Sequence, residues 1–129
     1  MSEREVVRTE NAPAPFQGAP YSQGVLYGDL VFVAGQLGID PATGGVVEGG
    51  IGAQTDQVMK NLGAILEAAG SGLDRLVKTT IFLVDLGDFG AMNEVYAGHL
   101  AEPYPARATV QIGALPSGAL VEIEAIGHR

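Results

Sequence analysis

Apolar residues fall in short runs separated by glycine and proline, and the spacing inside each run predicts its element. Val6-Val7 reads as a short edge strand. Pro13 to Pro20 excludes a regular helix or central strand, because proline has no amide donor. Val25 to Tyr27 and Leu30 to Ala34 flank Gly28-Asp29, which predicts a tight hairpin. Asp40 to Gly45 is a turn or loop. From Ile51 onward, Val58, Met59, Leu62, Ile65, Leu66 and Ala69 recur at helical spacing, and Gly70 stands where a helix-ending glycine belongs. Leu76 to Val84, rich in β-branched residues, predicts a strand. Asp88 is placed to cap a second helix with the stripe Phe89, Met92, Tyr96 and Leu100. Two closing strands are expected at Arg107 to Ile112 and Leu120 to Ile126, joined as a hairpin through Leu115-Pro116-Ser117-Gly118.

This order predicts a single α+β domain over residues 1–129, with a sheet carrying both helices on one face. On the last strand, Val121, Ile123 and Ala125 point one way, and Leu120, Glu122, Glu124 and Ile126 the other. Two helices cannot cover both faces, so the open face is expected to self-associate.

Composition narrows the function classes. Seven Lys and Arg stand against fifteen Asp and Glu, a formal charge of −8. That balance disfavours nucleic-acid binding, which draws its affinity from Lys and Arg, and equally an anionic membrane surface. With no cysteine, the chain has no disulfide, thiolate nucleophile or Cys-ligated metal. Two histidines, His99 and His128, are too few for an imidazole metal site. Met1 to Asn11 is charged and polar, so no targeting segment is expected and a cytoplasmic location is.

Several polar residues are candidates for chemistry. Arg107, opening a strand expected to be central, either holds an anionic group in its fork or pairs with Glu122 or Glu124. Those two acids share a strand face. They contain either a general base with a raised pKa or a solvated or salt-bridged edge. Tyr21 follows the proline-rich loop and either hangs into a pocket or is an ordinary half-buried loop tyrosine. Asn93 sits mid-helix, where asparagine is mildly unfavourable, which suggests a hydrogen-bonding role. His99 reads as a helix-end surface residue, His128 as part of a tail, and Lys78 as an exposed strand residue.

Five motifs occur in order: Pro20-Tyr21-Ser22-Gln23-Gly24, Val33-Ala34-Gly35-Gln36, Val77-Lys78-Thr79-Thr80, Pro105-Ala106-Arg107 and Val121-Glu122-Ile123-Glu124-Ala125-Ile126. With Glu67-Ala68-Ala69-Gly70 and the Asp85 to Tyr96 stretch, the set resembles the Rid family, also called YjgF or L-PSP, from about Thr9 to Ile126. The resemblance implies a chorismate-mutase-like α+β fold, a homotrimer with sites in clefts between subunits, and cofactor-independent 2-iminobutanoate/2-iminopropanoate deaminase activity on a small imino acid. It also implies roles for five residues. Arg107 binds the carboxylate, the backbone amide of Thr109 assists it, Glu122 positions water, and Tyr21 and Asn93 line the pocket. Three positions depart from the family pattern. Ala34 replaces a frequent hydroxyl residue, Thr109 a frequent cysteine, and the loop before Tyr21 is about two residues longer, with Phe16-Gln17 inserted. The competing expectations are a non-catalytic ligand-binding or chaperone-like trimer and, less favoured by the acidic charge, an endoribonuclease.

Overall fold

The computed structural model describes residues 3–129. Its strands are β1 (Glu5–Val7), β2 (Gly24–Tyr27), β3 (Leu30–Leu37), β4 (Leu76–Leu83), β5 (Ala106–Gln111) and β6 (Val121–His128). The helices are α1 (Gly50–Ala68) and α2 (Phe89–Gly98). The strands form one mixed sheet in the order β1-β2-β3-β6-β4-β5, in which only β4 and β5 run parallel. The architecture is the expected α+β fold, two helices on a mixed sheet.

The β2–β3 hairpin turns at Gly28-Asp29 as the pattern predicts. The apolar stripe of α1 packs on the sheet, with Val58, Met59, Leu62, Ile65 and Leu66 fully buried. Gly70, at φ +82°, ends the helix in a left-handed conformation that a side chain would strain. Val31, Val33, Ile81, Val121, Ile123 and Ala125 supply the sheet side of this core, and Met92 and Tyr96 of α2 complete it.

The closing hairpin does not form. A helix between β4 and β5 returns the chain to the end where β4 began, so β5 must run parallel to β4. The following connection then crosses the end of β4. Ile112 N–H donates to the Leu83 carbonyl at 2.8 Å, and Val84 N–H to the Leu120 carbonyl at 3.1 Å. The last strand inserts between β3 and β4 rather than beside β5. Arg107 therefore lies on an edge strand, not a central one.

The start of α2 also differs from expectation. Asp88 occupies the cap position but makes no side-chain capping bond. Asp85 Oδ1 instead accepts from Gly87 N–H at 2.8 Å, starting a 3-10 turn that leads into the helix. Phe89 is 41% exposed rather than core, and Leu100 lies beyond the helix end. His99 does more than sit at a surface. Its Nε2 lies 2.7 Å from Asp56 Oδ1, joining the end of α2 to α1, while Lys60 Nζ is 3.0 Å from Asp56 Oδ2.

The open face carries Leu30, Phe32 and Val110 in exposed positions, with Lys78 and Glu124 among them. No helix among the described residues is long and apolar enough to cross a membrane.

One polar group anchors the core. Asn61 is fully buried in α1, and its Nδ2 donates to the carbonyls of Leu37 and Ile39 at 3.1 and 2.9 Å. Asn61→Leu would keep the volume but leave two buried carbonyls unpaired. The expected loss is about 2–5 kcal/mol in a urea unfolding titration. An unchanged midpoint would show that these carbonyls do not depend on Asn61.

Candidate functional site

The end of β3 and the start of β6 build the first half of the site. The pairing of the two strands shifts between Val33 and Gln36, so Ala34 and Gly35 together oppose Glu124. This bulge turns Gly35 toward Glu122. A Cβ at position 35 would lie 2.5 Å from Glu122 Oε2, so the bare glycine backbone makes room for the carboxylate. Gln36 braces the bulge, its Nε2 donating to the Ala34 carbonyl at 3.1 Å.

Glu122 lines a cavity of about 370 Å³ with Tyr21, Gln36 and a largely apolar remainder that includes Phe16, Ala34, Ile39 and Pro116. Burial raises its carboxyl pKa above the ordinary glutamate value, and the like charge of Glu124 on the same strand face adds to the shift. Tyr21 is fixed through its hydroxyl oxygen, which accepts the Phe16 N–H at 2.6 Å. Phe16, the first residue of the inserted pair, thus holds the pocket tyrosine by its backbone amide. Ala34 lines the same cavity and supplies no side-chain hydrogen bond.

Sequence reasoning gave Gln23 no role, yet it organises this loop. Its Nε2 donates to the carbonyls of Thr9, Ala12 and Pro13, and its Oε1 accepts from Thr9 N–H. The signal was present: a glutamine beside a proline-rich segment, whose carbonyls have no ladder partner.

The second half lies on the other side of the sheet. Arg107 is in register with Thr79, which is buried under the helices, and Thr79 with Ala125 of the same core face. Glu122 alternates with those core residues and faces the open side. Arg107 and Glu122 of one chain therefore stand on opposite faces of the sheet. Among the described residues, Arg107 makes no ion pair, so the pairing with Glu122 or Glu124 does not occur. Arg107 lines a groove of about 370 Å³ with Asn93, Tyr96, Ala97, Tyr104 and Pro105. Its guanidinium carbon lies 5.4 Å from the Phe89 ring centre and 5.2 Å from that of Tyr96. Asn93 Oδ1 and Thr109 Oγ1 are both buried without a hydrogen-bond partner.

The structure thus brings Tyr21 to Glu122 and Asn93 to Arg107, but does not bring the two pairs together within one chain. Thr109 lines neither cavity, although it shares the β5 face of Arg107. Among the described residues, no three His, Asp or Glu side chains converge as a metal site would require.

The raised Glu122 pKa has a consequence for stability. At low pH the group is protonated in both folded and unfolded chains. As the pH climbs through the raised folded value, the unfolded chain has already released a proton that the folded chain still holds, so stability falls. Glu122→Gln removes that loss. Its melting temperature should exceed the parent's at pH 7, and the gap should close as the pH drops below 4.5, the ordinary value for the group. A gap independent of pH would show that burial does not strain this carboxyl.

Comparison with known proteins places the chain. The Endoribonuclease L-PSP family model matches residues 9–129. A RutC family protein of Pyrococcus horikoshii is 50% identical over 126 residues, 98% of each chain. The human 2-iminobutanoate/2-iminopropanoate deaminase is 43% identical over 123 residues, 95% of this chain and 88% of that one. The crystal structure of RidA from the Antarctic bacterium Psychrobacter sp. superposes with a TM-score of 0.92 at 48% identity, over 97% of this chain and 99% of that one. With its fold, its ordered motifs and these relatives in agreement, the chain belongs to the L-PSP family, the Rid or YjgF family that its motifs resemble.

Proposed function

We propose that the protein hydrolyses reactive 2-imino acids, such as 2-iminobutanoate or 2-iminopropanoate, to 2-keto acids and ammonia. The observation that carries this reading is the Glu122 carboxyl, raised in pKa and set against the Gly35 bulge in a mostly apolar cavity. Relatives in human and mouse named 2-iminobutanoate/2-iminopropanoate deaminase support it.

The chemistry follows from the groups present. The planar fork of Arg107 holds the substrate carboxylate, assisted by the backbone amide of Thr109, and fixes the direction of C2. Glu122, ionised, takes a proton from water as the oxygen adds to C2 of the iminium. The same carboxyl then returns that proton to the nitrogen; as the C2–N bond breaks, the hydroxyl on C2 gives its remaining proton back to the carboxylate and the carbonyl forms. The departing ammonia takes up that proton, so iminium and water become keto acid and ammonium. Tyr21 and Asn93 line the two walls.

Because Arg107 and Glu122 occupy opposite sheet faces, one chain cannot hold both ends of a small substrate. The complete site takes Arg107 from one copy and Glu122 from a neighbour, in a homotrimer closed over the apolar open faces. No cofactor enters this scheme, and the reaction is assigned to the cytoplasm. RNA cleavage fits the geometry poorly. His99 is engaged with Asp56, and His128 lies at the far end of β6, so no histidine pair serves an acid–base cleavage.

The test is ammonia release from freshly generated 2-iminobutanoate. Glu122→Gln cannot take a proton and should lower kcat by about 10²–10⁴-fold. Glu124→Gln, two residues away on the same strand face, should leave kcat near the parent value, because it stands roughly 6–7 Å further along the strand. The reverse pattern would move the base to Glu124. A parent protein that binds but never turns over would support a non-catalytic ligand-binding trimer instead.

A further inference from the structure

We propose that Phe89 and Tyr96 are positioning residues that together orient the Arg107 guanidinium, with Thr79 fixing the second ring. The inference rests on the reading of Arg107 as the carboxylate clamp and adds what holds that clamp still.

An arginine on an edge strand, with no ion pair, would ordinarily sample many rotamers and lose entropy on binding. Arg107 is not free in this way. Its guanidinium carbon lies over two aromatic rings, 5.4 Å from the centre of Phe89 and 5.2 Å from that of Tyr96. The two ring residues are seven apart in α2, hence about 10 Å along the helix axis. A group within 5.5 Å of both ring centres sits between them. The guanidinium carbon lies over both rings, a cation–π contact that uses the ring faces and leaves the N–H donors free for a planar, forked acceptor.

Each ring is held differently. Tyr96 is buried, and its hydroxyl shares a 2.7 Å hydrogen bond with Thr79 Oγ1. Thr79 is fully buried and lies directly opposite Arg107 in the β4–β5 register. The strand pair that carries the arginine therefore also locates the ring beneath it. Phe89 is 41% exposed at the first turn of α2, in a position that core packing does not explain. Covering the guanidinium gives that exposed ring a function.

The experiment compares Phe89→Leu, which keeps bulk but loses the π face, with Phe89→Tyr, which keeps both. Phe89 is exposed enough for either to fold. Two quantities are read: the NMR order parameter of the Arg107 Nε–H, and the Kd for 2-oxobutanoate, an unreactive carboxylate probe. In Phe89→Leu the order parameter should fall and Kd should rise about three- to tenfold, with Tm unchanged. Phe89→Tyr should restore both. Thr79→Val, which frees the Tyr96 hydroxyl, should lower the order parameter in the same direction. The proposal is overturned if Phe89→Leu keeps the parent values, or if Phe89→Tyr is as impaired as Phe89→Leu. If the order parameter responds while even the parent fails to bind 2-oxobutanoate, the ring cradle stands and the deaminase reading falls.

Discussion

The pleat of a β-strand sends successive side chains to opposite faces, and this sheet divides its candidate site residues between the two. Thr79 and Ala125 tie the register of β5, β4 and β6 together across the helix-covered side, and Arg107 shares that side. Glu122, three residues before Ala125 on β6, falls on the open side. No rotamer change can bring these two groups together through a sheet whose core face is filled by Ile81, Ile123 and Leu62. The open face, apolar at Phe32 and Val110 yet uncovered by any helix, is in the proposed assembly the surface on which a second copy completes the site.

The same face explains why a carboxyl can be tuned there. A glutamate on an ordinary solvated strand face keeps its usual pKa. Glu122 is instead drawn against the backbone at Gly35 by the β3 bulge, under the loop that carries Phe16 and Tyr21. Burial destabilises its charged form, and Glu124 adds repulsion from the same face. In the proposed mechanism the protein gives up some stability at neutral pH to hold a carboxyl whose proton affinity suits a reaction that both removes and returns a proton.

Much of the fold was legible from periodicity. The α1 stripe, the Gly70 stop, the first hairpin and the inward side of β6 all follow from spacing alone. The pairing of β5 and β6 did not, because local patterns report a strand without naming its neighbour, and a crossover helix changes the direction of the strand it precedes. The error placed Arg107 at the centre of the sheet rather than its edge and suggested an Arg–Glu pair that the pleat forbids. Site residues were named through ordered motifs, whereas their supports were not. Gln36 and Thr79 act through hydrogen bonds across a bulge or to a distant segment, and polar residues inside strands give no periodic signal of such bonds; Gln23, just before β2, bonds a proline-rich segment ten or more residues away. Phe89 was misread for the opposite reason. It fits the apolar stripe of α2 well enough to pass for core, although its ring faces a cation.

The central claim is that each site needs Arg107 from one copy and Glu122 from another, and subunit mixing tests it most directly. Arg107→Lys and Glu122→Gln proteins, each inactive alone in ammonia release, are unfolded together and refolded as mixed assemblies. In a head-to-tail ring, about one site in four then receives an intact arginine from one neighbour and an intact glutamate from the other. Activity should return to about a quarter of the parent level, while native mass spectrometry shows hybrid trimers. Hybrid trimers that stay inactive would contradict a site shared between copies.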